Sequence, residues 1–386
     1  MFASSARPSR GPVPVHRRRP ILGGLDRVCS VVALVPARNE EAGVLKALES
    51  LANQSAPPDL IVVVVNNSTD RTELYARSFA ESPDVPPTKV LNLPDNPHKK
   101  AGALNYALWW MRNNARARLA DVAEFIMVMD ADTALHPEFV ARARRVMMAR
   151  PSLGGLSAAC LGRTGLWSNP WQRYLTGMQI IEYGRYSSAR FRRNIHTMSG
   201  AGSFYRAEAL QSLLDWRGEV FWEDHANLVE DYETTLALKE SGWQITSNQL
   251  CIAYTDLMPT MRELFAQRER WARGTVDALR RRGCTRHTWP SIATLTLGLA
   301  GFAYSLFWIP ASMKTATWHG WSFDWRYLWL LAFWSAYQSM AVRHLGWKAM
   351  VVEAMVVPEV VFNALRNYWL LSSVVKSYTT RVSAWK

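Results

Sequence analysis

The sequence predicts an α/β domain, a mostly parallel central sheet with flanking helices, followed by a region of apolar helices over residues 286–386. Three observations predict it. Two Val-rich runs, Val31–Val35 and Leu60–Val65, are uninterrupted and separated by a stretch with helical spacing. That is the pattern of parallel strands covered on both faces. Polar residues gather where such strands end, at 36–40, 66–70 and 130–132, and ligands of open α/β sheets bind beyond the carboxyl ends of the strands. Long uncharged runs then begin at Ser291.

With 386 residues the chain exceeds what one core usually supports, so a second unit is expected beside the globular one. A net charge of +13 and 18 Trp point to an anionic surface or a membrane interface. Nucleic acid is the competing partner. The basic residues, however, cluster near the N-terminus and beside the apolar runs rather than interleaving with aromatics along a groove, so no nucleic acid is expected. Cys29, Cys160, Cys251 and Cys284 lie far apart without C-x-x-C spacing, which argues against a zinc site or disulfide framework and fits a reducing compartment. Residues 1–27 carry Arg7, Arg10, Arg17, Arg18 and Arg19 with no apolar signal-peptide core, and are expected to form a disordered basic tail.

In chain order, Val31–Val35 is a strand broken by Pro36–Glu40, and Val44, Leu45, Leu48 and Leu51 mark a helix from Glu40 to Leu51. Leu60–Val65 is a second strand, followed by the turn Asn66–Asp70 and a helix to about Ala80. Phe125–Met129 is a third, ending on Asp130-Ala-Asp132. Residues two apart in a strand share a face, so the two carboxylates can close on one hard cation, Mg²⁺ or Mn²⁺, leaving positions open for phosphate oxygens. Solvated aspartates in a strand-end turn are the alternative. His136–Arg150 has the spacing of a helix with a basic face. Met198–Arg206 is Gly-rich and precedes a helix, as a tight join would be. Asp231–Glu240 is helical, with Gly242 as its stop. Acidic residues at its start also suit the helix dipole without any further role. Glu223-Asp224-His225 imitates a metal cluster but reads as surface loop, and Gln267–Gly274 reads as a basic amphipathic helix.

Taken in order, Val35-Pro-Ala-Arg-Asn-Glu-Glu41, Asn66-Asn-Ser-Thr-Asp70, Lys100-Ala-Gly-Ala-Leu-Asn105, the D-A-D, Glu230-Asp231 and Gln267-Arg-Glu-Arg-Trp271 resemble the motifs of the family 2 inverting glycosyltransferases. The resemblance implies a GT-A fold over about residues 28–285. It also implies donor-site roles for Pro36, Glu40, Asn66, Asp70, Lys100, Asn105 and Asp130, and a metal on Asp130 and Asp132. The same resemblance makes Asp231 the general base assisted by Glu230, and assigns Gly200, Ala201 and Gly202 to the sugar pocket. Gln267, Arg270 and Trp271 match the Q-x-x-R-W of the processive branch (cellulose, chitin, hyaluronan and poly-N-acetylglucosamine synthases), where they serve diphosphate and acceptor. Asn66 stands where the family usually has Asp; its carbonyl can still accept from a uracil N–H, but its amide also donates. The implied reaction is transfer from a nucleoside diphosphate sugar, UDP-N-acetylglucosamine or UDP-glucose, to a glycan, lipid or protein. Polymer extension and single-sugar transfer both stay open.

Ser291–Met313 is long enough to span a bilayer, and Tyr327–Val342 is a shorter candidate. Arg280, Arg281, Arg282 and Arg286 before the first, with Arg343 and Lys348 after the second, predict a multi-pass membrane protein whose catalytic domain faces the cytoplasm. Ala349–Val375 carries Glu353, Pro358, Glu359 and Arg366 and is expected to be an interfacial or bundle-packed helix, with a third span as the alternative.

Overall fold

The computed structural model describes residues 29–163, 169–190, 194–224, 228–319, 326–355 and 357–379. The predicted basic tail and His225 lie outside the described residues, as do the side chains of 305–319 in the first apolar run.

The first half alternates strand and helix: β1 (Cys29–Ala37), α1 (Val44–Ala52), β2 (Leu60–Asn66), α2 (Thr72–Ala80), β3 (Thr88–Leu93), α3 (Lys99–Ala115), the short α4 (Leu119–Val122) and β4 (Ala123–Met129). There follow the two-residue β5 (Ala134–Leu135), α5 (Phe139–Ala149), β6 (Leu153–Arg163), α6 (Pro170–Arg190), β7 (Gly202–Arg206), α7 (Ala207–Arg217), α8 (Glu230–Glu240) and β8 (Gln244–Asp256). All eight strands form one sheet in the order β3-β2-β1-β4-β7-β6-β8-β5. β3, β2, β1 and β4 are parallel, as are β6 and β8. β7 runs antiparallel to both its neighbours, so the sheet is mixed.

Every residue of β2 is buried, because successive side chains enter two cores on opposite faces. Val62 and Val64 pack with Val32, Leu34 and the α3 residues Leu104 and Leu108. Ile61, Val63 and Val65 pack with Val31, Val35 and the α1 residues Val44 and Leu48.

Three sequence expectations shift in detail. α1 begins at Val44, because 40–43 is a turn. Asp130 and Asp132 lie in a turn just beyond β4, so no strand face aligns them. The second half of the Gly-rich run is strand β7 rather than loop: Gly202 pairs with Met129 and Ser203 with Val128.

The remaining helices are α9 (Met261–Arg282), α10 (Trp289–His319), α11 (Arg326–Ala341), α12 (Trp347–Ala354) and α13 (Val357–Thr379). Among the described residues no helix is long and apolar enough to cross a membrane. The segment 349–375 is divided between α12 and α13, with Pro358 in the first turn of α13, where its missing N–H loses no helical bond. α13 lies along α9, burying Phe362 and Trp369 with Leu175, Met178 and Leu264. Glu353 and Glu359 are buried and share Arg185 of α6, at 2.8 and 2.7 Å. Buried carboxylates of this kind are tolerated because they are paired. The outer sides of α11–α13 expose Trp329, Phe333, Trp334, Tyr337, Trp347 and Tyr368.

Candidate functional site

Three strand ends open on one edge of the sheet. After β1, Asn39 takes a left-handed conformation (φ 54°) that suits Asn better than most residues. Its side chain accepts from Thr69 N at 2.8 Å, which joins the first turn to the one after β2. Asp70 strengthens the join: it accepts from Thr72 N and Oγ1 at the start of α2 and from Glu41 N. These bonds outweigh the small loss of hydration and hold its carboxyl below the usual range. Glu40 N donates to Thr72 Oγ1 at 2.7 Å. Pro36, near the end of β1, is paired in register with Val64 of β2.

The third strand end supplies the acidic cluster. Burial first, then the charge of Asp130, pushes the Asp132 carboxyl up to about 6. Burial, then Asp132 and Asp130, pushes Glu40 up to about 7. The carboxylates here outweigh the positive charge that Lys100 supplies. Among the described residues no three His, Cys, Asp or Glu side chains form a ready metal cluster. A hard cation here would therefore take few protein oxygens and draw others from a ligand, which is how Mg²⁺ and Mn²⁺ engage diphosphates. The donor set fits such a cation.

Lys100, on the first turn of α3, places Nζ 2.6 Å from Asp130 Oδ1 and 2.8 Å from Glu230 Oε1. Burial alone would lower this ammonium's pKa; the two carboxylates reverse that and hold it well above its usual range. Glu230 and Asp231 open α8. Burial would raise both carboxyls, but Lys100 holds Glu230 low, and burial together with the ionised Glu230 pushes Asp231 up to about 6. Two adjacent carboxyls are thus driven apart, Glu230 kept ionised and Asp231 raised.

Gly200 closes the site. A Cβ there would lie 3.1 Å from Lys100 Nζ, 3.3 Å from Asp231 Oδ2 and 3.8 Å from Asp130 Oδ2. The β4–β7 register explains this convergence. Because β7 runs antiparallel to β4 and Gly202 faces Met129, the residues just before β7 sit beside those just after β4. Gly202 itself backs onto Ala158 and Ala253 of the sheet, and Ala201 N donates to Ser199 Oγ.

α9 approaches from the other side. Arg270 contributes positive charge that helps keep Glu230 ionised. Trp271 is 37% exposed, with the Arg268 guanidinium 4.5 Å from its ring; Arg268 also pairs with Glu182 of α6. Gln267 Oε1 is buried without a hydrogen-bond partner. Gly274 lets α9 touch the segment leading into α8, since a Cβ there would lie 2.7 Å from Val229 Cγ1.

Two predicted donor contacts have their polar groups engaged within the protein. Asn105 accepts from Phe221 N at 3.0 Å and donates to Phe221 O and Glu223 Oε1 at 2.7 and 2.8 Å. It ties α3 to the segment before α8, and the Glu223 that resembled free surface loop is its partner. Asn66 is 3% exposed; it donates to Lys99 O at 3.0 Å and accepts from Asn96 Nδ2 at 2.8 Å.

The arginines that suggested membrane topology also have partners. Arg281 and Arg282 each pair with Glu233 of α8 at 2.7 Å, and Arg282 reaches Glu240 at 2.6 Å. Arg280 lies 4.0 Å from the Tyr378 ring. Sequence reasoning missed Asn96, Arg163, Arg268 and Gly274. Arg163 donates to the Asp132 carbonyl and pairs with Asp256 at 2.8 Å. No spacing marks any of the four except Arg268 and Gly274, which lie in or beside the Q-R-E-R-W helix.

Comparison with known proteins bears on the family and the fold. Residues 29–274 match the profile of a family described as glycosyltransferase like family 2. An N-acetylglucosaminyltransferase of Rhizobium meliloti (strain 1021) is 26% identical over 64% of this chain and 55% of its own length. A poly-beta-1,6-N-acetyl-D-glucosamine synthase of Staphylococcus epidermidis is 24% identical over 74% of this chain and 63% of its own. The chain thus spans between half and two thirds of the length of these relatives. The mannosyltransferase PcManGT from Pyrobaculum calidifontis, solved with GDP-Man and Mn²⁺, shares the fold with a TM-score of 0.59 at 20% identity, over 92% of this chain and 88% of that one.

Proposed function

This chain belongs to glycosyltransferase like family 2, and from that premise we propose that it is an inverting transferase acting on a nucleoside diphosphate sugar. The observation that carries the proposal is the convergence at Gly200 of Lys100, Asp130 and Asp231, from three separate parts of the chain.

Asp231 takes the proton of an acceptor hydroxyl as that oxygen attacks the anomeric carbon. The new bond forms opposite the departing diphosphate, the old C–O bond breaks with its electron pair going to the phosphate oxygen, and configuration inverts. Glu230, ionised against Lys100, keeps Asp231 basic enough to accept the proton. Asp130 and Asp132 would hold Mg²⁺ or Mn²⁺, which when bound neutralises charge on the leaving diphosphate. Lys100 and Arg270 add positive charge around Glu230, and Trp271 offers its exposed ring to a sugar. UDP-N-acetylglucosamine or UDP-glucose is the proposed donor and a glycan the proposed acceptor. The Q-R-E-R-W match and the resemblance to a polymer synthase support extension over single transfer.

The exposed Trp, Tyr and Phe side chains of α11–α13, with Arg343 and Lys348 nearby, support seating of these helices on an anionic bilayer at the cytoplasmic face. Two tests apply. Purified full-length protein in detergent is offered labelled UDP-N-acetylglucosamine, UDP-glucose and GDP-mannose with Mn²⁺ or EDTA. Metal-dependent release of nucleoside diphosphate from one donor, lost in Asp231→Asn, supports the transferase, whereas equal release by that variant refutes Asp231 as base. Flotation with liposomes of 30% anionic lipid (about one lipid in three, enough to engage a basic face) tests the seating; protein left in the dense fraction refutes it.

A further inference from the structure

The Asn that stands where the resemblance expects Asp has a role visible in its hydrogen bonds. Asn66 Nδ2 and Asn96 Nδ2 both donate to the carbonyl of Lys99, at 3.0 and 2.6 Å. Lys99 is left-handed (φ 55°), a conformation uncommon for residues other than Gly. The two amides are also bonded to each other, Asn96 Nδ2 to Asn66 Oδ1 at 2.8 Å, and both side chains are buried. Asn67 anchors Asn96 through its backbone on both sides: its Nδ2 donates to Asn96 O and its Oδ1 accepts from Asn96 N, each at 2.8 Å. Asn96 Oδ1 in turn accepts from His98 N at 3.0 Å. Room for Asn96 comes from Gly102, where a Cβ would lie 2.4 Å from Asn96 Oδ1. The residue after Lys99 is Lys100, whose Nζ bridges Asp130 and Glu230.

We propose that Asn66 and Asn96 form a positioning pair: by clamping the left-handed Lys99 carbonyl they aim Lys100 between the metal-side and base-side carboxylates, and Asn66 does not read the nucleotide base. The chemistry accounts for Asn in place of Asp. A carboxylate at 66 would set an acceptor against the Lys99 carbonyl with no proton between them, so the clamp needs an amide. The glycine of Lys100-Ala-Gly102 is explained by the same clamp, because any side chain there would displace Asn96.

This inference rests on the transferase reading for its kinetic readout, so the test includes one that needs no donor. The full chain and its Asn66→Asp, Asn66→Ala and Asn96→Ala variants are treated with an amine-acylating reagent, and labelling of Lys100 is mapped by mass spectrometry. Wild-type Lys100, with 17% of its side chain exposed and two carboxylate partners, should label slowly, and all three variants about tenfold faster or more, the scale of losing a buried hydrogen-bond partner. With the donor that wild type uses, kcat should fall about tenfold or more while the donor KM stays within about threefold, because charge placement rather than base binding is lost. Asn66→Asp with unchanged Lys100 labelling, unchanged kcat and a lower KM for a uridine donor would overturn the proposal in favour of base reading. Wild type inactive on every donor removes the kinetic arm and counts against the transferase, while the labelling still decides the clamp. If Asn66→Asp fails to fold, Asn96→Ala carries the same readouts.

Discussion

Replacing Asp132 by Asn is expected to stabilise the ligand-free protein while removing its activity. Asp132 sits in the turn after β4 beside Asp130, with Glu40 and Asp256 near enough to repel it. Burial and the Asp130 charge raise its carboxyl from 3.8 to about 6. The sign follows from linkage: a raised pKa means that the folded state disfavours the ionised form. The penalty is absent below the unfolded value, grows between the two and is complete above about 6. A shift of about two units at ~1.4 kcal/mol each sets an upper bound of roughly 3 kcal/mol. Partial exposure of the side chain reduces this to about 1–2 kcal/mol. Asn keeps the shape and can still accept from Thr133 Oγ1, which lies 3.1 Å from Asp132 Oδ1. Thermal unfolding in EDTA should therefore place the variant a few degrees above wild type at pH 8, with the gap closing toward pH 4. Millimolar Mn²⁺ should raise wild type and leave the variant nearly unmoved, because binding to the folded state alone stabilises it by mass action. A variant that melts at or below wild type at pH 8, or Mn²⁺ shifts of equal size in both, would refute the account of this turn as a charge-strained cation site.

Other substitutions probe the rest of the site. Asp231→Asn should lower kcat by roughly 10²–10⁴, and wild-type kcat/KM should rise with pH through about 6 and level off, because the base must be deprotonated. A pH-independent acid limb would exclude Asp231. Gly200→Ala places a methyl 3.1 Å from Lys100 Nζ and 3.3 Å from Asp231 Oδ2, so activity should fall sharply while the melting temperature changes little. Arg282→Ala removes one of the two guanidiniums on the buried Glu233 and the contact to Glu240. Denaturant titration should record a loss of about 3 kcal/mol, the low end for a broken buried pair because Arg281 remains.

Much of this architecture was legible in the sequence because it depends on local pattern. The Val-rich runs became β1 and β2, each completely or nearly enclosed, and the polar turns after them meet at one edge as the parallel arrangement requires. Lys100, Asp130, Glu230 and Asp231, marked by the family motifs, do converge, and Asp132 lies within reach of the Asp130 and Lys100 charges. Asn66 and Asn105 were marked equally well, yet their side chains are bonded to Asn96, Lys99, Phe221 and Glu223. A motif names the residue type at a position and is silent about its partner. Arg281 and Arg282 illustrate the same limit, since a run of arginines before an apolar stretch looks alike whether it meets lipid headgroups or Glu233.

By itself, the sequence determined that three of the eight strands, β1, β2 and β4, are strands with polar residues at their ends, while the family resemblance marked the carboxylates and cations of the site. The strands and their polar ends follow from side-chain periodicity and turn propensity, both set by near neighbours along the chain. Only the tertiary structure decided that β7 enters antiparallel beside β4, which brings Gly200 against Asp130 and leaves Asp231 with Lys100 at the same point. It also decided that Lys100 bridges two carboxylates a hundred residues apart in sequence, and that Asn66 faces a backbone carbonyl. Charge and hydrogen-bond energies depend on separation in space and on burial, and neither is a function of spacing along the chain.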